Sequence, residues 1–164
     1  MALEYGCPAD KLAKALVAFK GVNRRFTYRI KTEKHVLIDD YAHHPTEIDA
    51  VHNAVREMYP NKRVLGVFQP HLYSRTRDFM EDFARSLSQF DELLLLDIYP
   101  AREQPIEGVN SQELLNLITV ARKRLVTKEN LEAKMKASKA TVKVMMGAGD
   151  IGEEILKITK SYSE

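Results

Sequence analysis

This chain of 164 residues has a single cysteine, little net charge and no long apolar stretch, and each of these properties argues against a class of protein. Cys7 is the only cysteine, so the sequence supports neither a disulfide framework nor a cluster of thiolate metal ligands. The formal net charge is only +2, which gives no electrostatic reason to expect nucleic-acid or membrane binding. No apolar run, the four leucines Leu93–Leu96 included, approaches the ~20 residues that span a bilayer.

The remaining bulk properties are those of an ordinary globular domain. The first residues, MALEYGCPADK, lack the basic and then apolar layout of a secretory signal. The length is sufficient for one domain with a core. Hydrophobic residues make up 45% of the chain and charged residues 29%, a balance typical of soluble proteins. We therefore expect a cytoplasmic protein that binds neither nucleic acid nor membranes, with its oligomeric state left open.

Several nucleotide and catalytic motifs are also missing. The sequence contains no G-x-x-x-x-G-K-[ST] loop, no nucleophile elbow and no kinase motif set. A chain that uses ATP through such a loop must obtain it from another segment. GAGDIG (147–152) matches the glycine pattern of a dinucleotide-binding turn, but the residues after it, 153–164, look helical. That fingerprint requires an acid about 20 residues later on a strand. We interpret the glycines as a tight turn, whose amides can still face a phosphate.

Hydrophobic periodicity predicts alternating strands and helices along the chain. Strands are predicted at 24–31, 35–39, 63–68, 92–98, 124–127 and 141–146. Helices are predicted at 10–20, from Pro45 onward, and at 77–88 (with Thr76 as a cap), 111–118, 128–138 and 151–161. Such alternation predicts an α/β fold, in which a Rossmann-like, doubly wound and mostly parallel sheet has helices on both faces.

Polar residues follow four of the predicted strands, and in a parallel sheet those strand ends form one edge. The four segments are DDYAHHP (39–45), QPHLYSRT (69–76), DIYPAREQPIEG (97–108) and GAGD (147–150). His43 and His44 are adjacent, so they point to opposite sides of a regular strand. Since no H-x-x-x-H pattern or carboxylate triad accompanies them, we expect no metal site. With Pro45 in the first helical position, His44 falls at the N-cap and His43 faces a ligand.

The QPHLYSRT segment allows two interpretations. Arg75 can offer a bidentate guanidinium to a carboxylate or phosphate, or it can simply pair with Asp78 on the surface. In the same way, His71 and Tyr73 can bracket a small ligand or cap the sheet. The pattern alone does not choose between these alternatives.

The adjacent acids Asp39 and Asp40 are predicted to face opposite ways. One can therefore reach the site, while the other holds a backbone group or a basic partner. Arg24 and Arg25, on the neighbouring predicted strand, are the candidate basic partners.

Five segments, in this order, resemble the C-terminal domain of the Mur ligases: FKGVNRRF (19–26), IDDYAHHPTEI (38–48), VFQPHLYSRTRDF (67–79), DIYPAREQPIEG (97–108) and MGAGDIG (146–152). The resemblance covers nearly the whole chain from about Phe19. QPHLYSRT favours the alanine-adding branch over the branch that recycles murein tripeptide, which shares the DD-aromatic-AHHP stretch. The resemblance implies that residues 21–164 form the Mur ligase C-terminal domain. Residues 1–20 are then a linker or the tail of the preceding central ATPase domain.

The resemblance also implies a reaction, that of an ADP-forming amide ligase in peptidoglycan precursor synthesis. Such enzymes use ATP and Mg²⁺ to convert the lactyl carboxylate of UDP-N-acetylmuramic acid into an acyl phosphate, which the amine of L-alanine then attacks. This chain is expected to help bind ATP and the amino acid, to contain no catalytic or metal-binding residue, to bind no cofactor tightly and to be inactive alone. The alternatives are a non-enzymatic nucleotide- or dinucleotide-binding module on the same sheet and the murein-tripeptide recycling ligase of the same family.

Site residues follow from the same resemblance. It assigns the nucleotide to Arg25 and Asp40, and the amino acid or substrate to Tyr41, His43, His71 and Arg75. Many relatives have an arginine where this chain has Leu72, so Arg75 is expected to act alone or with His71. Arg102 stands where relatives often have glycine, and it either supplies the missing charge or is simply solvated.

Overall fold

A computed structural model describes residues 1–19 and 21–162. Lys20, at the predicted boundary between linker and domain, and residues 163–164 lie outside the described residues. The described chain forms helices α1 (Ala9–Ala18), α2 (Pro45–Met58), α3 (Tyr73–Asp78), α4 (Met80–Leu87), α5 (Ser111–Leu117), α6 (Lys128–Ala137) and α7 (Ile151–Ser161). Its strands are β1 (Thr27–Lys31), β2 (Val36–Asp40), β3 (Val64–Phe68), β4 (Glu92–Leu95), β5 (Lys123–Leu125) and β6 (Val142–Met146). None of the described helices is long and apolar enough to cross a membrane.

The strands form one sheet in the order β1-β2-β6-β3-β4-β5. β1 runs antiparallel to β2, and every other neighbouring pair is parallel. β6, the last of the described strands, lies between β2 and β3, so the connection through α2 crosses over it. This arrangement confirms the prediction of a mostly parallel sheet and sets the carboxyl ends of β2, β6 and β3 side by side.

Each face of the sheet has its own apolar core, because successive strand residues point to opposite faces. One core contains residues of α2, α4 and α5, including Ile48, Phe83 and Leu114. The other contains residues of α6 and α7, including Leu131 and Ile155. Helices therefore cover both faces, and the predicted doubly wound α/β architecture is confirmed.

The first predicted strand, 24–31, was too long. β1 begins only at Thr27, because Arg24 and Phe26 have φ angles of 58° and 46°. Such left-handed conformations do not continue a regular strand. The distorted residues form an irregular entry that places both arginines, Arg24 and Arg25, at the end of β2.

The predicted helix 77–88 was also wrong in its start. Two helices, α3 and α4, meet at Phe79. Thr76 is not a cap but a buried residue inside α3, where its hydroxyl donates to the Leu72 carbonyl oxygen at 2.8 Å. The sequence of α3, YSRTRD, shows no apolar periodicity, so the pattern could not reveal it.

Helix α1 forms close to its predicted position but buries none of its residues. Leu16 in this helix and Phe19 directly after it are 64% and 62% exposed. The helix therefore contributes nothing to either core.

Candidate functional site

Four loops meet at the carboxyl edge of the sheet. Asp40 and Phe68 both pair with Met146 in register, so the loops after β2, β3 and β6 leave from adjacent points. The loop after β4 joins them through a parallel bridge between His71 and Tyr99. The prediction that the four polar segments share one edge is confirmed.

Asp39 is the buried anchor of this edge. Its side chain is 1% exposed and lies 3.2 Å from Arg24 Nε and 2.7 Å from Arg29 Nη2. Arg24 Nη2 also donates to the Gly147 carbonyl oxygen at 2.6 Å. Arg24 is thus the basic partner that the sequence suggested, and the network ties β1 to the loop after β6.

Asp40 faces the opposite way and holds the backbone. Its carboxylate accepts hydrogen bonds from Phe26 N at 2.7 Å and Ala42 N at 2.8 Å. Burial raises the pKa of Asp40 above its ordinary value, against the opposing effects of these hydrogen bonds and of the Arg25 charge. Asp40 and Arg25 line one cavity of about 280 Å³. Within it the Arg25 guanidinium lies 3.6 Å from Glu47 and is 54% exposed.

Four rings form a row across the loops. The ring centres of Tyr41 and His43 are 5.3 Å apart, those of His43 and His71 6.3 Å, and those of His71 and Tyr99 5.6 Å. The last pair is stacked. The structure therefore brings together Tyr41, His43 and His71, three of the residues assigned to the substrate, and adds Tyr99.

Positive charge lies at the Tyr41 end of this row. The guanidinium carbons of Arg24 and Arg25 are 5.1 and 5.8 Å from the centre of the Tyr41 ring. Such cation–π contacts contribute roughly 0.5–1 kcal/mol at exposed sites. They link the nucleotide candidate Arg25 to the substrate candidate Tyr41.

Hydrogen bonds fix the orientation of His43. Its Nδ1 lies 3.0 Å from the Tyr41 carbonyl oxygen and 3.2 Å from Glu47 Oε2, and both groups only accept. Nδ1 therefore carries the proton, and in the neutral ring Nε2 is left as an acceptor. Burial raises the pKa of Glu47, but the His43 amide and the nearby His43 and Arg25 charges outweigh it and lower that pKa.

The start of α2 is capped as predicted. His44 is the N-cap, its Nδ1 accepts from Thr46 N at 3.4 Å, and Pro45 is the first helical residue. Glu47, three residues after the cap, accepts from His43 N at 2.9 Å. The spacing from cap to glutamate is that of a capping box, so the sequence did contain a signal for the role of Glu47.

His71 and Arg75 form a unit. Arg75 Nη1 lies 3.2 Å from His71 Nδ1 and 3.3 Å from the His71 carbonyl oxygen. Burial and the Arg75 charge lower the pKa of His71, which favours the neutral ring. The alternative pairing of Arg75 with Asp78 is wrong, because Arg75 contacts His71 instead and Asp78 pairs with Arg77 at 2.8 Å.

The glycine segment forms the tight turn that we expected. At Gly147, where φ is 147°, a Cβ would lie 2.9 Å from the Gln69 carbonyl oxygen. The Gln69 side chain then receives a hydrogen bond from Ile151 N at 3.0 Å and donates one to Asp150 at 2.8 Å. Gln69 therefore holds the start of α7.

Metal ligands are not clustered in the described part of the chain. Among residues 1–19 and 21–162, no group of three or more His, Cys, Asp or Glu side chains is placed to hold a metal ion. The guanidinium, imidazole and carboxylate groups at this edge can bind and orient anionic or polar ligands.

Comparison with known families and proteins agrees with this geometry. The family described as "Mur ligase, glutamate ligase domain" matches residues 24–151, which include all four loops. This chain belongs to that family. Its fold places the DDYAHHP and QPHLYSRT segments of a Mur ligase domain on neighbouring loops.

Two curated relatives of this Mur ligase domain carry the same name. The UDP-N-acetylmuramate–L-alanine ligase of Christiangramia forsetii is 65% identical over 161 residues, covering 98% of this chain and 36% of the relative. The ligase of the same name from Flavobacterium psychrophilum is 62% identical over 164 residues, covering 100% of this chain and 37% of the relative. The chain thus spans little more than a third of the length of these relatives.

A solved structure shows the same fold. The UDP-N-acetylmuramate-alanine ligase MurC of Thermotoga maritima superimposes with a TM-score of 0.74 and 25% identity, covering 99% of this chain and 35% of that one. The described chain therefore has the Rossmann-like fold of a Mur ligase domain.

Proposed function

We propose that this chain is the C-terminal part of a cytoplasmic UDP-N-acetylmuramate–L-alanine ligase. Such a ligase uses ATP to join L-alanine to UDP-N-acetylmuramic acid in peptidoglycan precursor synthesis. The observation that carries the proposal is the 65% identity with the Christiangramia forsetii ligase over 98% of the chain. In this proposal residues 21–164 are the C-terminal domain, and residues 1–20 are a linker or the tail of the central domain.

The amino acid is proposed to bind at the His71–Arg75 unit. With neutral His71 accepting from one guanidinium nitrogen of Arg75, the remaining N–H groups can form a bidentate contact with the alanine carboxylate. His43 and Tyr41 continue the same surface. A single arginine suffices in this arrangement, which supports the binding role despite Leu72.

The nucleotide is proposed to bind beside Arg25 and Asp40. Arg25 is more than half exposed, so its guanidinium can contact a phosphate or stack on a base. The backbone amides use one lone pair on each Asp40 oxygen, which leaves acceptor capacity for a ribose hydroxyl. When bound, ATP and Mg²⁺ would supply the activation of the lactyl carboxylate of UDP-N-acetylmuramic acid. We propose that segments outside this chain hold most of the phosphate and the metal.

Kinetics of the complete ligase test these assignments. Arg75→Ala should raise the KM for L-alanine about 10- to 100-fold, since a charge-assisted hydrogen bond contributes roughly 1.5–3 kcal/mol. The KM for the UDP-sugar should change little. Arg25→Ala should instead raise the KM for ATP. Arg77 is an exposed arginine on the same helix as Arg75. Arg77→Ala is therefore the control for both variants.

Three results would contradict the proposal. They are an unchanged alanine KM in Arg75→Ala, normal ATP kinetics in Arg25→Ala, and ATP turnover by residues 1–164 alone. The murein-tripeptide recycling branch predicts a different outcome, namely that the wild-type ligase accepts the tripeptide in place of L-alanine.

A dinucleotide-binding module has less support. Gln69 already fills the space beside Gly149, where a Cβ would lie 2.6 Å from Gln69 Oε1. Calorimetry of the chain with NAD, ATP and ADP separates the two functions. Tight NAD binding would favour the module.

A further inference from the structure

A carboxylate from a distant loop caps the helix that carries Arg75. The N-cap of α3, Leu72, provides no side-chain cap. Glu103, in the loop after β4, accepts from Ser74 N at 2.9 Å and also from the Ser74 hydroxyl. The first amides of a helix have no partner within the helix, and negative charge stabilises that end. The hydrogen bonds from Ser74 lower the pKa of Glu103, so it is ionised at neutral pH.

The backbone before this helix adopts an unfavourable conformation. Leu72 has a φ angle of 74°, a value that residues with a Cβ rarely adopt. Hydrogen bonds from Leu72 N to the Tyr99 oxygen at 2.9 Å and from Tyr99 N to the Pro70 oxygen at 2.8 Å hold it in place. Segments 70–74 and 97–103 are therefore joined by backbone hydrogen bonds and by the hydrogen bonds between Ser74 and the Glu103 side chain.

We propose that Glu103 is a positioning residue for the amino-acid substrate of the ligase. By capping α3 it fixes segment 71–75 and holds Arg75 against His71. Each Glu103 oxygen accepts from Ser74, and a negative charge repels the carboxylate of an amino acid, so Glu103 acts through the helix and does not itself bind that carboxylate. Its role rests on the proposed function, because the substrate carboxylate is what Arg75 is positioned to bind.

The test measures KM values for all three substrates in the complete ligase. Glu103→Gln should raise the KM for L-alanine about tenfold, because it weakens the cap. The KM values for ATP and UDP-N-acetylmuramic acid should stay within about twofold. Ser74→Ala, which removes only the hydroxyl donor, should raise the alanine KM about threefold. Glu107→Gln removes the same charge from an exposed position of the same loop and should behave as the wild type.

A double-mutant cycle separates positioning from general stabilisation. If Glu103 acts through Arg75, adding Glu103→Gln to Arg75→Ala should produce no further increase in the alanine KM. An additive increase, an equal rise for all three substrates or an unchanged alanine KM in Glu103→Gln would overturn the inference. If Glu103→Gln does not fold, the same cycle with Ser74→Ala decides. A folded wild-type ligase that releases no ADP with L-alanine would instead overturn the proposed function, and this role with it.

Discussion

Replacing Asp39 with asparagine should destabilise the domain by about 3 kcal/mol. The buried carboxylate contacts two guanidinium groups, those of Arg24 and Arg29. Asparagine keeps the size but removes the charge and turns an amide NH₂ toward one of the donors. Removing one partner of a buried ion pair costs roughly 3–5 kcal/mol. Because both arginines are 19% exposed and keep some hydration, we expect the lower end of that range.

Urea unfolding of the chain at pH 7, followed by circular dichroism, measures this loss. In thermal unfolding of a chain of this size, a loss of 3 kcal/mol corresponds to a fall in Tm of about 6–12 °C. Asp78→Asn is the matched control, since Asp78 and Arg77 are 52% and 54% exposed and such pairs contribute less than about 1 kcal/mol. A loss below about 1 kcal/mol in Asp39→Asn, or one equal to the control, would refute the anchoring role of Asp39.

Two further changes test the core and the acid response. Gly66→Ala should cost about 1–3 kcal/mol, because the new Cβ would lie 2.9 Å from the Phe90 ring. Adding Phe90→Leu should recover part of this loss. If the losses of the two single variants simply add in the double variant, the clash with the Phe90 ring is not the cause. Burial raises the pKa of Asp91, but hydrogen bonds from Val64 N and Arg56 outweigh it and lower that pKa. Its stabilisation is therefore complete above the unfolded value of 3.8 and is lost as the pH falls through the lower folded value. Between about pH 5 and pH 2, the free energy of unfolding of Asp91→Asn should therefore fall less steeply with decreasing pH than that of the wild type. Parallel declines of the two proteins would reject this role of Asp91.

The sequence predicted the parallel sheet well because its strands are buried on both faces. VLID in β2 and VLGVF in β3 are nearly continuous apolar runs, as expected of central parallel strands. It failed where irregular backbone decides the structure. The left-handed residues Arg24 and Phe26 belong to residue types with no strong preference for that conformation, so no local signal marked the late start of β1.

The candidate site was predictable in part for a similar reason. His44, Pro45 and the helix after them follow local capping rules, and the structure confirms the cap. The contact of Glu103 with Ser74 joins residues 29 positions apart, and the row of rings depends on how separate loops approach each other. Such contacts arise from the sheet order, which periodicity alone does not specify. The nucleotide and amino-acid roles of the site residues remain predictions.

The central position of β6 has a consequence for the order in which the chain can fold. β2 and β3, which lead into the loops of His43 and His71, both pair with β6 and not with each other. During synthesis those two strands emerge long before residues 142–146, and until then they have no common neighbour in the sheet. Pairing of this kind is non-local and therefore slow. The two histidine loops can come into register only when the last strand inserts, so loss of the C-terminal segment would remove the whole site at once.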